Sequence, residues 1–118
     1  MGLTAAQVNE LMQSEGVRQP AAGLTEGLAR DLGATGKRDW GHLFAAVAYA
    51  VGLGYAGYGS PDAGLTRVDD DRSEIGQEIR KTTNQVMQTC GIDGWYWGDL
   101  IDGTLRTAYK LGAQNRTA

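Results

Sequence analysis

The chain has 118 residues, 42% hydrophobic and 21% charged, which fits a single domain over 1–118 and excludes a wholly disordered chain. One cysteine, Cys90, excludes an internal disulfide and a four-cysteine zinc site, and one histidine, His42, excludes any site that needs two imidazoles. The net charge of −3 is spread evenly, with four basic against five acidic residues in 1–59 and seven against nine in 60–118, so nucleic-acid binding is disfavoured.

The first predicted helix opens at Thr4, an N-cap with Gln7 three residues on, the spacing of a capping box. Leu3 and Val8 flank that cap as a hydrophobic staple. Val8, Leu11 and Met12 make one apolar face, and Gly16 reads as the stop. Pro20 then suits the first turn of a second helix over about 20–32, with Ala21, Leu24, Leu28 and Leu32 on one stripe. A later start with Thr25 as cap is the alternative. Gly23 and Gly27 share a face where a neighbouring helix would fit closely. Residues 33–36 are a break.

Asp39 reads as the next N-cap, and residues 40–56 as a helix apolar on all sides, hence buried. Phe44, Val47, Ala48, Val51 and Tyr55 recur at helical spacing, and small residues fill the rest. The uncharged stretch from Leu43 to Pro61 is too short and too rich in Gly and Ala for a membrane span, which needs about 20 strongly apolar residues. A long connection follows at about 57–71, rich in turn formers and ending in Asp69-Asp70-Asp71. Asp71 or Ser73 caps the fourth helix, whose stripe is Ile75, Ile79, Thr83, Val86, Met87 and Cys90. Gly91 ends it, and Ile92 is placed to fold back on Met87. The last helix starts at Trp95 or Gly98 and buries Trp97, Leu100, Ile101, Leu105, Ala108 and Leu111. Gly112 reads as its stop and 113–118 as a frayed tail. The expectation is an all-α fold, a single compact bundle of about five helices.

Two constellations carry possible function. In the run Trp95-Tyr96-Trp97 three consecutive rings cannot all face one core, so at least one points outward, as protein–protein anchors do. The competing reading is a cluster that closes the bundle end over Trp40. Trp95, Tyr96, Trp97, Tyr58, Asp69 and Asp70 are the residues assigned to a protein-binding surface. The partner is another protein or a second copy, with no cofactor, and the role is that of an inhibitor, adaptor or assembly subunit. One unpaired thiol and an N-terminus without a basic region followed by an apolar core fit the cytoplasm.

The second constellation is acidic. Asp71 and Glu74, then Asp99 and Asp102, are pairs three apart near two helix starts. Carboxylates so spaced share a face, and two pairs on facing helices offer oxygen ligands to Mg or Mn. The spacing is similar to that of the all-α nucleoside-triphosphate pyrophosphohydrolases, which use Glu-x-x-Glu and Glu-x-x-Asp. Here the stretches are Asp71-Arg72-Ser73-Glu74 and Asp99-Leu100-Ile101-Asp102, with Asp at two positions where that family has Glu. The likeness, which covers those four positions, implies a metal-dependent enzyme acting on nucleotides; in that reading Glu78 is a spare ligand or base, and Lys81 and Arg106, further along the two helices, are candidate phosphate partners. The simpler reading is that carboxylates gather where the helix dipole is positive. A third reading, a helical nucleic-acid binder, would use Lys37 and Arg38. His42 reads as a capping group and Cys90 as a buried structural thiol.

Overall fold

The computed structural model describes residues 4–33, 36, 39–56 and 68–116. Its elements are α1 (Ala5–Leu11), α2 (Glu15–Leu32), α3 (Trp40–Ala56), α4 (Glu74–Cys90) and α5 (Trp95–Arg116), an all-α bundle. Most of the connection at 57–71, and Lys37, Arg38 and Tyr58, lie outside the described residues.

The bundle is organised around the crossing of α3 and α5. A Cβ placed on Gly54 would lie 1.9 Å from the Tyr109 carbonyl oxygen, and one on Gly112 would lie 1.9 Å from the Val51 carbonyl oxygen. Each helix therefore presses its glycine onto the other's backbone, an approach no larger residue permits. Gly112 is not a stop: α5 continues to Arg116 through residues expected to fray. The same crossing explains why α3 is apolar all round. Leu43, Val47 and Val51 are fully buried, as are Ile101, Leu105 and Tyr109 on α5. Each such side chain contributes roughly 1.5–3 kcal/mol by leaving water.

α2 lies against both α3 and α5, α4 packs on the same two helices, and α1 covers part of α3. α1 has the predicted capping box, with Thr4 Oγ1 accepting from the Gln7 amide and Gln7 reaching back to Thr4 N. It ends at Leu11, and Gly16 is already inside α2. Pro20 is thus an interior residue of α2, not a first-turn one. A proline cannot donate to the carbonyl four residues back. That carbonyl belongs to Gly16, and Asn115 Nδ2 reaches it across 3.5 Å. A Cβ on Gly16 would meet Asn115 Oδ1 at 2.6 Å. The pair of Gly16 and Pro20 thereby forms a seat for the end of α5.

Thr25 is fully buried and donates to the Ala21 carbonyl at 2.9 Å, so it is a core residue rather than a cap. Gly23 has open space around it and Gly27 meets only the tip of Arg30, so among the described residues no helix docks closely on that face. Ser73, not Asp71, caps α4, accepting from the Gly76 amide at 3.0 Å. Gly76 is required there, since a Cβ would lie 2.1 Å from the Asp70 carbonyl oxygen.

Candidate functional surface

The turn between α4 and α5 fixes the aromatic run. Gly91 ends α4 in the left-handed region at φ 69°, and Ile92 N–H donates back to the Met87 carbonyl at 2.9 Å. This closes a glycine C-cap and buries Ile92. Gly94 follows at φ 109°, again a glycine conformation, and its carbonyl accepts the first bond of α5 from Gly98 N. Gly98 is buried, with room for a Cβ only 3.2 Å from Met87 Sδ, so the first turn of α5 sits tightly on α4.

With the turn so held, Trp97 packs partly into the core, while Trp95 is 79% and Tyr96 58% exposed. The three rings form a chain of edge contacts, Trp95 on Tyr96 at 6.2 Å and Tyr96 on Trp97 at 4.9 Å. Trp40 stacks on Phe44 instead, 4.9 Å apart and nearly parallel. Asp93 and Asp99 flank the exposed rings in sequence, and both are exposed.

Asp69 and Asp70, assigned to the same surface, lie elsewhere. Asp69 accepts from Lys110 Nζ at 2.8 Å. Lys110 is fourteen residues along α5 from Tyr96, roughly 21 Å at the rise of a helix. Asp70 shapes the entry to α4: its carboxylate accepts from Arg72 N at 2.9 Å and its carbonyl from Ser73 Oγ at 2.7 Å. The five described residues of that surface therefore resolve into an aromatic corner and a separate acidic turn.

The four carboxylates of the metal reading do not form a cation site. Among the described residues no group of three or more His, Cys, Asp or Glu is placed to hold a metal ion. Asp71 and Asp102 do converge, but on arginine. Arg106 is 8% exposed and donates through Nε to Asp102, through Nη1 to the Val68 carbonyl, and through Nη2 to Asp71 Oδ1 at 2.6 Å. Arg80 adds longer ion pairs, 3.5 Å to Asp102 and 3.7 Å to Asp71. Burial works against the Arg106 charge, but the hydrogen bonds and negative charge of Asp102 and then Asp71 outweigh it, and its pKa stands above the ordinary arginine value. Arg106 is consequently a clamp between residues 68–71 and α5, not a phosphate partner. The i, i+4 spacing of Asp102 and Arg106 was the signal for it. Glu74 and Asp99 are exposed at their helix starts, where the dipole favours a carboxylate.

At the opposite end of the core helix, Asp39 caps α3. Its carboxylate accepts from His42 N at 3.2 Å and from His42 Nδ1 at 2.7 Å. That side-chain bond holds the Asp39 pKa below the ordinary carboxylate range. Cys90 is half-buried, and burial, reinforced by the Asp39 charge, pushes its pKa up, so it stays a thiol. Tyr49 Oη donates to Glu78 at 2.7 Å and ties α3 to α4. On either side of Tyr49 lie two surface grooves, one against α4 and one against α1. Neither was foreseen, because a helix apolar on all sides gives no sign of which side stays open.

Comparison with known protein families, with curated proteins and with solved structures gives no match.

Proposed function

We propose that this chain is a small non-catalytic helical protein that acts through protein–protein contacts, with Trp95 and Tyr96 as its anchors. The reading rests on one observation: two adjacent large aromatic residues stand 79% and 58% exposed on a turn held by two positive-φ glycines. Aromatic side chains are enriched among residues that dominate binding energy. A turn already ordered in the free protein spares part of the entropy of ordering on association. Trp97 supports the anchors from below, packed on the core and in edge contact with Tyr96. Asp93 and Asp99 give the corner an acidic border, so the partner surface combines an apolar recess with a basic rim. The partner is another protein or a second copy of the chain, in the cytoplasm, where a single free thiol is stable.

The test is capture of a partner by the tagged full chain from cells that make it, compared with the double variant Trp95→Ala/Tyr96→Ala, alongside the oligomeric state of each. The reading requires that the double variant keep its helicity and lose the partner or the self-association. Full retention of both by a folded variant would remove the aromatic corner from the binding surface.

A further inference from the structure

α3 is apolar around its circumference, yet α1, which covers one of its sides, has only seven residues. The uncovered part is a groove of about 590 Å³. Phe44, Ala48 and Tyr49 of α3 line it, with Val8 and Met12 facing them from the α1 side. That volume is in the range of small-molecule sites, roughly 300–1,000 Å³.

The charge on the groove is unlike that of the molecule. The chain carries 14 acidic residues, but none of the described ones lines this groove, and the one charged group among its described lining residues is Arg18 of α2. Arg18 is exposed and has no ion pair among the described residues. Arg72, Arg80, Arg106 and Lys110 each have an aspartate, and of the described cations without an ion pair, Arg18, Arg30 and Lys81, only Arg18 lines this groove. Among the described residues the site thus offers a mainly apolar trough with a single cation, not ion-paired, at its edge. The matching ligand has an apolar body and one negative charge.

We propose that the α1–α3 groove binds a free amphipathic monocarboxylate, with its apolar body on Phe44, Ala48, Val8 and Met12 and its carboxylate on Arg18. A guanidinium presents paired N–H donors that match the two carboxylate oxygens. The site is distinct from the aromatic corner and does not depend on it.

The probe is decanoate, titrated below its micellar concentration into the full chain by calorimetry and by NMR of the Phe44 and Tyr49 rings. Decanol, with the same tail and no charge, is the control. Decanoate is expected to bind at one site and to perturb both rings. Arg18→Gln is expected to weaken it about fivefold, the upper end for an exposed ion pair, and decanol to bind the wild type equally weakly. Ala45→Met, on an exposed groove residue, fills the trough and abolishes binding while the thermal midpoint holds. Trp95→Ala/Tyr96→Ala binds decanoate as the wild type does, so this proposal and the protein-binding one fail separately. Equal affinity for decanoate and decanol, or no effect of Arg18→Gln, overturns the carboxylate assignment. Binding to anionic phospholipid vesicles without binding of free decanoate overturns it too, in favour of a membrane surface.

Discussion

The α3–α5 crossing and the α4–α5 turn both depend on glycine, for opposite reasons. At the crossing, Gly54 and Gly112 have ordinary helical neighbours and supply space, since a single carbon would strike the facing carbonyl at 1.9 Å. At the turn, Gly91 and Gly94 supply dihedral freedom, at φ 69° and 109°. A Cβ on Gly94 would meet only Trp97 Cδ1 at 3.5 Å, ordinary contact distance, so backbone conformation and not space demands glycine there. One pair of glycines lets the core close, and the other lets two large rings leave it. The first region closes the core, and the second is where we propose recognition.

The contrast is broken most severely at the crossing. Gly112→Ala or Gly54→Ala is expected to destabilise the fold by about 3 kcal/mol or more, because backbone rather than a flexible side chain must move. Urea unfolding measures it, and a loss below about 1 kcal/mol would mean the helices separate more easily than their approach implies. Arg106→Ala comes next. It leaves Asp102 buried with only the longer Arg80 contact and frees the Val68 carbonyl, for an expected loss of about 2–3 kcal/mol by the same assay. Gly91→Ala forces a left-handed conformation on a residue with a Cβ and is expected to lose about 1–2 kcal/mol. It should also change tryptophan emission, since the turn orients the rings; unchanged emission and stability would show that the turn is not set by this residue.

The smallest effect is a pH dependence. The Asp39 pKa is lowered in the folded protein by the His42 hydrogen bond. A lowered carboxylate pKa adds stability that is in place above the unfolded value, about pH 4, and is lost as pH falls through the folded value. Wild type should therefore lose stability relative to Asp39→Asn as pH drops from neutral to below about pH 4. Parallel pH profiles for the two would remove the Asp39–His42 bond from the account.

Local chemistry made much of the fold legible. The Thr4–Gln7 box, the Ser73 cap and the Gly91 C-cap with Ile92 folded back all depend on residues within six positions of one another, and the structure has each. The apolar stripes gave all five helices. What failed depended on partners distant in sequence. Gly16 and Gly112 resemble stops, yet each lies inside a helix because another segment needs the space: Asn115 at Gly16, and α3 at Gly112. Pro20 resembles a first-turn residue, and its interior position is tolerable where the Gly16 carbonyl finds Asn115. Tyr109, fully buried, was missed although it lies four residues after Leu105 on the same helix face, because only its place at the α3 crossing shows that a tyrosine continues the aliphatic stripe.

The candidate surface was legible to a similar degree. Three adjacent rings required at least one to face outward, and two do. Which two depends on how Gly94 and Gly98 set the first turn of α5 against Met87, a tertiary matter. The acidic pairs were half legible: Asp71 and Asp102 meet, but the group between them is Arg106. Spacing along helices shows which carboxylates share a face, and the i, i+4 spacing of Asp102 and Arg106 carried the competing signal of a cation one turn on.

The most direct test of the account is the urea-unfolding midpoint of Trp95→Ala/Tyr96→Ala, measured beside its capacity to retain the wild-type partner. The account predicts stability within about 0.5 kcal/mol of wild type, as for surface positions, together with loss of association. A fall of several kcal/mol with association retained would contradict it, placing the two rings in the core.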